Sequence, residues 1–201
     1  MKILHLLSSS KGKESQSTKL GNAIVKKIQE KNSDSSLQTH DLTQNLYPHL
    51  EEAHLISFFT PAESRTPELL EVVKHSDEAI QQLFDADIIV ISTPMYNFSI
   101  PSVLKAWIDH ISRAGKTFRY TANGLEGLLK NKKLFLSIAS GSVYTEGPYK
   151  AYDFTESYLR AVLGFLGITD VTAFRVEGLG MPELTEHAMP KALKTVEEFA
   201  F

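Results

Sequence analysis

Short apolar runs alternate with longer amphipathic segments along most of the chain. The clearest runs are Ile3 to Leu7, interrupted only by His5, and the continuous run Ile88 to Ile91. Apolar runs of this length are typical of parallel strands that are buried on both faces. The pattern predicts five strands, at residues 3–7, 37–42, 87–92, 133–139 and 170–176.

Between these strands, apolar residues recur at helical spacing, as they do at Leu20, Ile24 and Ile28. Gly115 is placed to end the third helix, and residues 43–65 contain only helical fragments broken by prolines. We predict helices from about residue 17 and at residues 68–84, 102–113, 152–165 and 185–199.

Alternating strands and helices predict an α/β fold, a doubly wound parallel sheet in a three-layer α/β/α arrangement. Right-handed crossovers place helices on both faces of such a sheet. A strand order of 2-1-3-4-5 would put the switch point between the first and third strands, where Ser9 and Met95 follow their strands. With no linker or repeat, we expect one domain over residues 1–201.

Composition and charge limit the classes of function that the protein can have. The 201 residues are 42% apolar and carry a formal charge of -3, which does not suit a nucleic-acid partner. Because the chain has no cysteine, redox chemistry would depend on a bound cofactor. We expect a soluble, cytoplasmic protein without a membrane partner, since no signal-peptide core and no apolar run of about 20 residues is present.

A serine-rich loop joins the first strand to the first helix. Its hydroxyls and the free N–H groups of the helix N-terminus favour a dianion such as a phosphate. A Walker loop is excluded, because Glu14 stands where Ser or Thr is needed. The alternative is a solvated loop that only caps its helix. The loop extends from Ser8 to Thr18 and offers several hydroxyl groups, without singling out individual ligands.

Two further loops follow predicted strands. The segment Pro94-Met95-Tyr96-Asn97-Phe98 places aromatic rings and an amide at a strand end, which predicts a cradle for a planar heterocycle. It could equally be a turn whose aromatics cover the sheet edge. The loop Ala139-Ser140-Gly141-Ser142 offers backbone N–H groups beside a glycine, although a glycine after a strand is most often a simple turn.

More motifs follow in a consistent order along nearly the whole chain. They are Arg113-Ala114-Gly115-Lys116-Thr117-Phe118-Arg119-Tyr120-Thr121, Glu146-Gly147-Pro148 and Leu163-Gly164-Phe165-Leu166-Gly167-Ile168. Together with the serine loop and residues 94–98, they resemble the FMN-dependent NADH-azoreductase family. The members of that family are quinone and azo-dye reductases of flavodoxin-like fold.

The resemblance implies FMN as the cofactor and NADH or NADPH as the co-substrate. It implies that Ser9 and residues 15–17 hold the FMN phosphate, while residues 95–98 and 139–142 flank the isoalloxazine ring. Phe118 and Tyr120 would lie on an extended hairpin near the substrate pocket, where dimer packing is the alternative role. Val162 takes the place of an aromatic residue of that pocket.

The resemblance also implies a homodimer with active sites at the interface and a quinone or azo acceptor. Flavin N5 would accept the hydride, so the protein needs no catalytic nucleophile or metal. If NAD⁺ leaves before the acceptor stacks, the kinetics are ping-pong. A non-enzymatic electron-transfer flavoprotein and a nucleotide-binding regulatory module are the competing hypotheses.

Some residues depart from the family pattern or suggest other chemistry. Many family members have Ser-Arg-Gly-Gly where this chain has residues 139–142, so a charged contact and one glycine are missing. This departure leaves the acceptor and the NADH or NADPH preference open.

Among the histidines, His5 is expected to pack within its strand and His110 to lie on a helix surface, and no metal motif is present.

Overall fold

The computed structural model describes all residues from 1 to 201 and contains a five-stranded parallel sheet. Its strands run in the spatial order β2-β1-β3-β6-β7, which is the predicted order 2-1-3-4-5 once a separate hairpin is counted. The sheet consists of β1 (Lys2–Leu7), β2 (Ser36–Asp41), β3 (Ile88–Pro94), β6 (Lys133–Ala139) and β7 (Asp170–Val176), and the hairpin of β4 (Phe118–Thr121) and β5 (Gly124–Gly127).

The protein has six helices. They are α1 (Gln16–Lys31), α2 (Glu52–Phe59), α3 (Pro67–Asp85), α4 (Ser102–Ile111), α5 (Phe154–Phe165) and α6 (Pro182–Glu198). Of these, α2 packs against α3 and the others cover the two faces of the sheet. Ile88 and Val90 of β3 pack in one core with α1 and α6, whereas Ile89 and Ile91 pack in the other with α3, α4 and α5. The sheet is therefore the middle of three layers, because successive strand residues point to opposite faces.

Several element ends differ from the prediction for local reasons. Strand β3 continues to Pro94, since its end pairs with Ala139 of β6. Helix α4 ends at Ile111, and Gly115, with φ 77, instead forms the turn into the hairpin. Helix α6 begins three residues earlier than predicted, at Pro182, where a proline suits the first helical turn.

The prediction that His110 lies on a helix surface was wrong. Its side chain is fully buried, and its Nε2 lies 2.9 Å from the Pro48 carbonyl oxygen. The rings of Tyr47 and His54 lie 5.5 and 5.0 Å away, between centroids. The segment before α3 folds over this face of α4, which the local pattern of α4 does not reveal.

The first half of α1 lies unusually close to the central strands. A Cβ on Gly21 would lie 1.9 Å from Ser92 Oγ and 2.8 Å from His5 Nε2, so only glycine fits. His5 Nε2 and Ser92 Oγ are themselves 2.7 Å apart, and Ser137 donates to the Ser17 carbonyl at 2.7 Å. Burial lowers the pKa of His5 to about 4, so the imidazole is neutral at pH 7.

None of the six helices combines the length and the apolar content that crossing a bilayer requires.

Gly21→Ala tests the close approach of α1, with Gly164→Ala as its matched control. The new methyl group at Gly21 should cost about 2 kcal/mol or more of unfolding free energy, because Ser92 and His5 must move. At Gly164 in α5 a Cβ meets nothing within 4 Å, so alanine should be neutral or stabilising by up to about 1 kcal/mol. Urea unfolding measures both, and equal effects would contradict the prediction.

Candidate functional site

A cleft of about 260 Å³ opens at the carboxyl ends of β1, β3 and β6. Three loops meet there, as expected at the switch point of an open parallel sheet. Ten of the sequence-predicted site residues line the cleft: Ser9, Ser15, Gln16, Ser17, Pro94, Met95, Tyr96, Ala139, Ser140 and Gly141.

The serine loop wraps the N-terminus of α1. Ser15 is the N-cap residue, and its hydroxyl accepts from the Thr18 N–H at 3.2 Å and lies 3.0 Å from Ser17 Oγ. Ser9 Oγ accepts from the Lys11 N–H at 3.3 Å. Hydroxyls thus surround the end of a helix whose N–H groups and dipole carry partial positive charge. This arrangement suits a phosphate group.

The loop after β3 is a tight turn with strained central residues. Tyr96 and Ser99 exchange two backbone hydrogen bonds, at 2.9 and 3.1 Å, across Asn97 and Phe98. Both central residues have positive φ, 49 for Asn97 and 70 for Phe98. Asparagine tolerates this region, but a phenylalanine there costs about 1–3 kcal/mol, and such strain is often found at functional sites.

The loop after β6 presents unpaired backbone donors. Its carbonyl groups already accept hydrogen bonds. The Gly141 carbonyl accepts from the Gly180 N–H at 2.7 Å, and the Ser140 carbonyl accepts from the Leu179 N–H at 3.2 Å. The N–H groups of Gly141 and Ser142 donate to no acceptor in the protein. Because Gly141 lines the cleft and Ser142 follows it directly, this part of the loop offers donors that suit a ligand with an electron-rich edge.

Three residues that line the cleft were missed by the sequence analysis. Lys11 belongs to the serine loop, lines the cleft and forms no ion pair, whereas Lys19 pairs with Glu14 at 3.1 Å. Leu179 and Gly180 reach the cleft from the segment after β7. Lys11 could have been found from its place in the serine loop, but nothing local marks residues 179 and 180.

Other predicted site residues lie outside the cleft lining. Asn97 lines a neighbouring groove that shares Tyr96 with the cleft, and the Ser142 carbonyl accepts from Ser140 Oγ at 2.8 Å. Phe118, only 9% exposed, packs on Phe165 with ring centroids 4.6 Å apart. The remaining three are Phe98 at the turn, Tyr120 on the exposed part of the hairpin, and Val162, a residue of α5 that packs against the core.

An ionic network braces the loops on one side of the cleft. The buried guanidinium of Arg175 pairs with Asp153, with Glu156 at 2.7 Å and with Glu177 at 3.4 Å. Glu177 in turn accepts from the N–H of Tyr144 at 2.7 Å. The chain after residue 142 is therefore tied to β7 and α5, close to the residues that line the cleft.

Histidine and carboxylate side chains do not gather anywhere in the protein in a set of three able to hold a metal ion.

Comparison with known proteins agrees with this geometry. A family described as a flavodoxin-like fold matches residues 1–200. An FMN-dependent NADH:quinone oxidoreductase of Herminiimonas arsenicoxydans is 47% identical over 198 residues, which cover 98% of this chain and 97% of that protein. A protein of the same description from Beijerinckia indica is 42% identical over 196 residues, covering 98% and 97%.

Solved structures give the same picture. A crystal structure of an FMN-dependent NADH-azoreductase from Bacillus anthracis in complex with FMN is 28% identical, with a TM-score of 0.86. The match covers 100% of this chain and 99% of that one. An azoreductase from another strain of the same species is 29% identical with a TM-score of 0.88, and the match covers 99% of this chain and all of that one.

Proposed function

This chain belongs to the flavodoxin-like family of FMN-dependent NADH:quinone oxidoreductases and azoreductases, and we propose from that premise that it catalyses the same reactions. The quinone reaction converts NADH, a proton and a quinone into NAD⁺ and a hydroquinone. Cleavage of an azo bond to two amines consumes two NADH and two protons. The observation that carries the proposal is the cleft, where a serine loop suited to an anion lies together with Met95 and Tyr96 of the loop after β3.

The residues of the cleft fit FMN. The Ser9, Ser15 and Ser17 hydroxyls and the N-terminus of α1 suit its phosphate, and Lys11 adds a positive charge. Residues 94–98 would hold one side of the ring, and residues 139–142 the other. The unpaired N–H groups of Gly141 and Ser142 suit the electron-rich edge of a flavin and would favour its reduced, negatively charged form.

Bound FMN would supply the atom, N5, that accepts hydride and returns electrons to the acceptor. The protein binds and orients the reactants and needs no nucleophile of its own. If one face of the flavin ring reacts first with NADH and then with the acceptor, NAD⁺ must leave before the acceptor reacts, and we expect ping-pong kinetics. A carrier that only passes electrons to a protein partner would share the cleft but would not oxidise NADH.

We also propose a homodimer. Helix α2 supports it, because its polar side is buried and its apolar side faces solvent. Its buried side holds His54 and Ser57, whereas Leu55, Ile56 and Phe59 face solvent, with Phe59 79% exposed. Ser57 donates to the Leu69 carbonyl at 2.8 Å, so the buried polar side is satisfied. An apolar outer face of this kind is typical of an interface between protein chains.

Anaerobic stopped-flow mixing with NADH tests the activity. We expect the visible absorbance of the FMN-loaded protein to bleach within seconds and to return when a quinone is added, with turnover on the order of 10 s⁻¹. Steady-state double-reciprocal plots should give parallel lines. NADPH provides the comparison for cofactor preference. A loaded protein whose absorbance NADH leaves unchanged would instead support the electron-transfer hypothesis.

Lys11→Gln tests the phosphate contact. It should raise the dissociation constant of FMN by roughly fivefold to tenfold at low salt and leave that of riboflavin unchanged, because only FMN carries the phosphate. Added salt should narrow the difference. Lys19→Gln is the control, since Lys19 pairs with Glu14. Equal losses for both flavins would show that Lys11 does not contact the phosphate.

Sedimentation equilibrium tests the dimer. The wild-type protein should have twice the chain mass of 22.4 kDa, and Ile56→Glu with Phe59→Glu should shift it to the monomer, since burying two carboxylates is costly. Phe84→Glu changes an exposed aromatic residue of α3 and serves as the control. A monomeric variant that keeps full turnover would contradict active sites at the interface.

A further inference from the structure

Four aromatic side chains beside the cleft form a continuous cluster, which we call the aromatic rim: Phe98, Tyr144, Tyr149 and Tyr152. The ring centroids of Phe98 and Tyr152 are 5.5 Å apart, those of Phe98 and Tyr144 6.5 Å, and those of Tyr144 and Tyr149 6.2 Å. These spacings are typical of tilted and edge-to-face aromatic contacts. The four rings come from two separate loops, so only the tertiary structure brings them together.

The rim is open to solvent and does not belong to either core. Phe98, Tyr149 and Tyr152 are 47%, 49% and 50% exposed, and none of the four packs in the two buried clusters. Single exposed aromatic residues are common on protein surfaces, but a contiguous group next to a cleft is typical of a binding surface. The rim therefore has unused aromatic area that a ligand can cover.

The backbone holds the rim in place. Phe98 keeps a left-handed conformation with φ 70, and its carbonyl accepts from the Phe154 N–H at 3.1 Å, at the start of α5. That helix is capped by Asp153, which accepts from the Thr155 N–H at 3.0 Å and pairs with Arg175. A strained residue that its surroundings hold in this way is a preorganised contact.

Tyr144 is held from the other side. Glu177 accepts from the N–H groups of Tyr144 and Thr145 at 2.7 and 3.1 Å, and from the Thr145 hydroxyl at 2.6 Å. Glu177 lies two residues before Leu179, which lines the cleft, and Phe98 lies two residues after Tyr96, which also lines it. Phe98 and Tyr144, the two central rings of the rim, are thus linked to the walls of the cleft, Phe98 along the chain and Tyr144 through its hydrogen bond to Glu177.

We propose that the aromatic rim binds the planar ring of the electron acceptor, a quinone or an azo compound, beside the cofactor cleft. The inference rests on the proposed function and names its acceptor subsite. Aromatic faces attract flat, electron-poor rings, and three tyrosine hydroxyls place hydrogen-bond donors around them. Phe118, which the resemblance places near the pocket, is buried against Phe165 in this chain and has no free face to offer.

The test uses the FMN-loaded protein reduced with one equivalent of NADH and then mixed anaerobically with 2-methyl-1,4-naphthoquinone. In the double variant Tyr149→Leu and Tyr152→Leu, the second-order rate of reoxidation should fall roughly tenfold, as loss of aromatic stacking predicts. The double Phe variant should stay within about twofold of wild type, because the rings remain. Reoxidation by ferricyanide, which needs no stacking, and the rate of reduction by NADH should both stay unchanged.

Two controls sharpen the result. Phe84→Leu removes an aromatic residue of similar exposure on α3 and should have no effect, whereas Tyr120→Leu tests the hairpin as the competing subsite. The proposal is overturned if the double Leu variant reoxidises at the wild-type rate, if ferricyanide or NADH rates fall equally, or if only Tyr120→Leu is slow. If NADH fails to reduce the wild-type protein, equilibrium dialysis of the oxidised naphthoquinone still tests the rim, because its affinity must fall in the Leu variant.

Discussion

The close contact between the N-terminal half of α1 and the central strands is the constraint on which the site depends. Gly21 leaves room for the hydrogen bond between His5 and Ser92, and Ser137 donates to the backbone of α1 at Ser17. Polar residues at these inward positions replace the apolar packing found farther down the same strands. They seat the helix so that its N-terminus, rather than its side, faces the cleft, which is what an anion requires.

Contacts from outside the sheet also hold the loops around the cleft in place. The turn at Asn97 and Phe98 carries backbone strain that the local sequence does not favour, yet a hydrogen bond from the start of α5 and the network around Arg175 hold the surrounding chain. Arg175 and its three carboxylate partners are largely buried, so losing one partner would leave charge unpaired. The hydrogen bond from α5 and the ion pairs of Arg175 therefore hold the loops around the cleft together.

A rigid cleft of this kind suits a protein in which the bound cofactor carries out the chemistry. Such a protein has to provide a positive end for a phosphate, donors for an electron-rich ring edge and a surface for the second substrate. Residues 139–142 include no charged side chain, and the backbone N–H groups of Gly141 and Ser142 remain as donors. The oxidoreductase function we propose can thus rest largely on backbone groups and hydroxyls in this chain.

The sequence by itself determined the strands, most helix positions and the strand order, because buried parallel strands and amphipathic helices leave local patterns. Ten of the residues that line the cleft were found from the sequence as well, through loops at strand ends and the motifs of the family resemblance. It missed Leu179 and Gly180, which reach the cleft through a fold-level contact with residues 140 and 141. It also misplaced His110, whose burial depends on a segment about 60 residues away in the chain. Only the tertiary structure decided that α2 turns its apolar side outward and that four rings from two loops meet beside the cleft. Such contacts join distant parts of the chain, so no local periodicity records them.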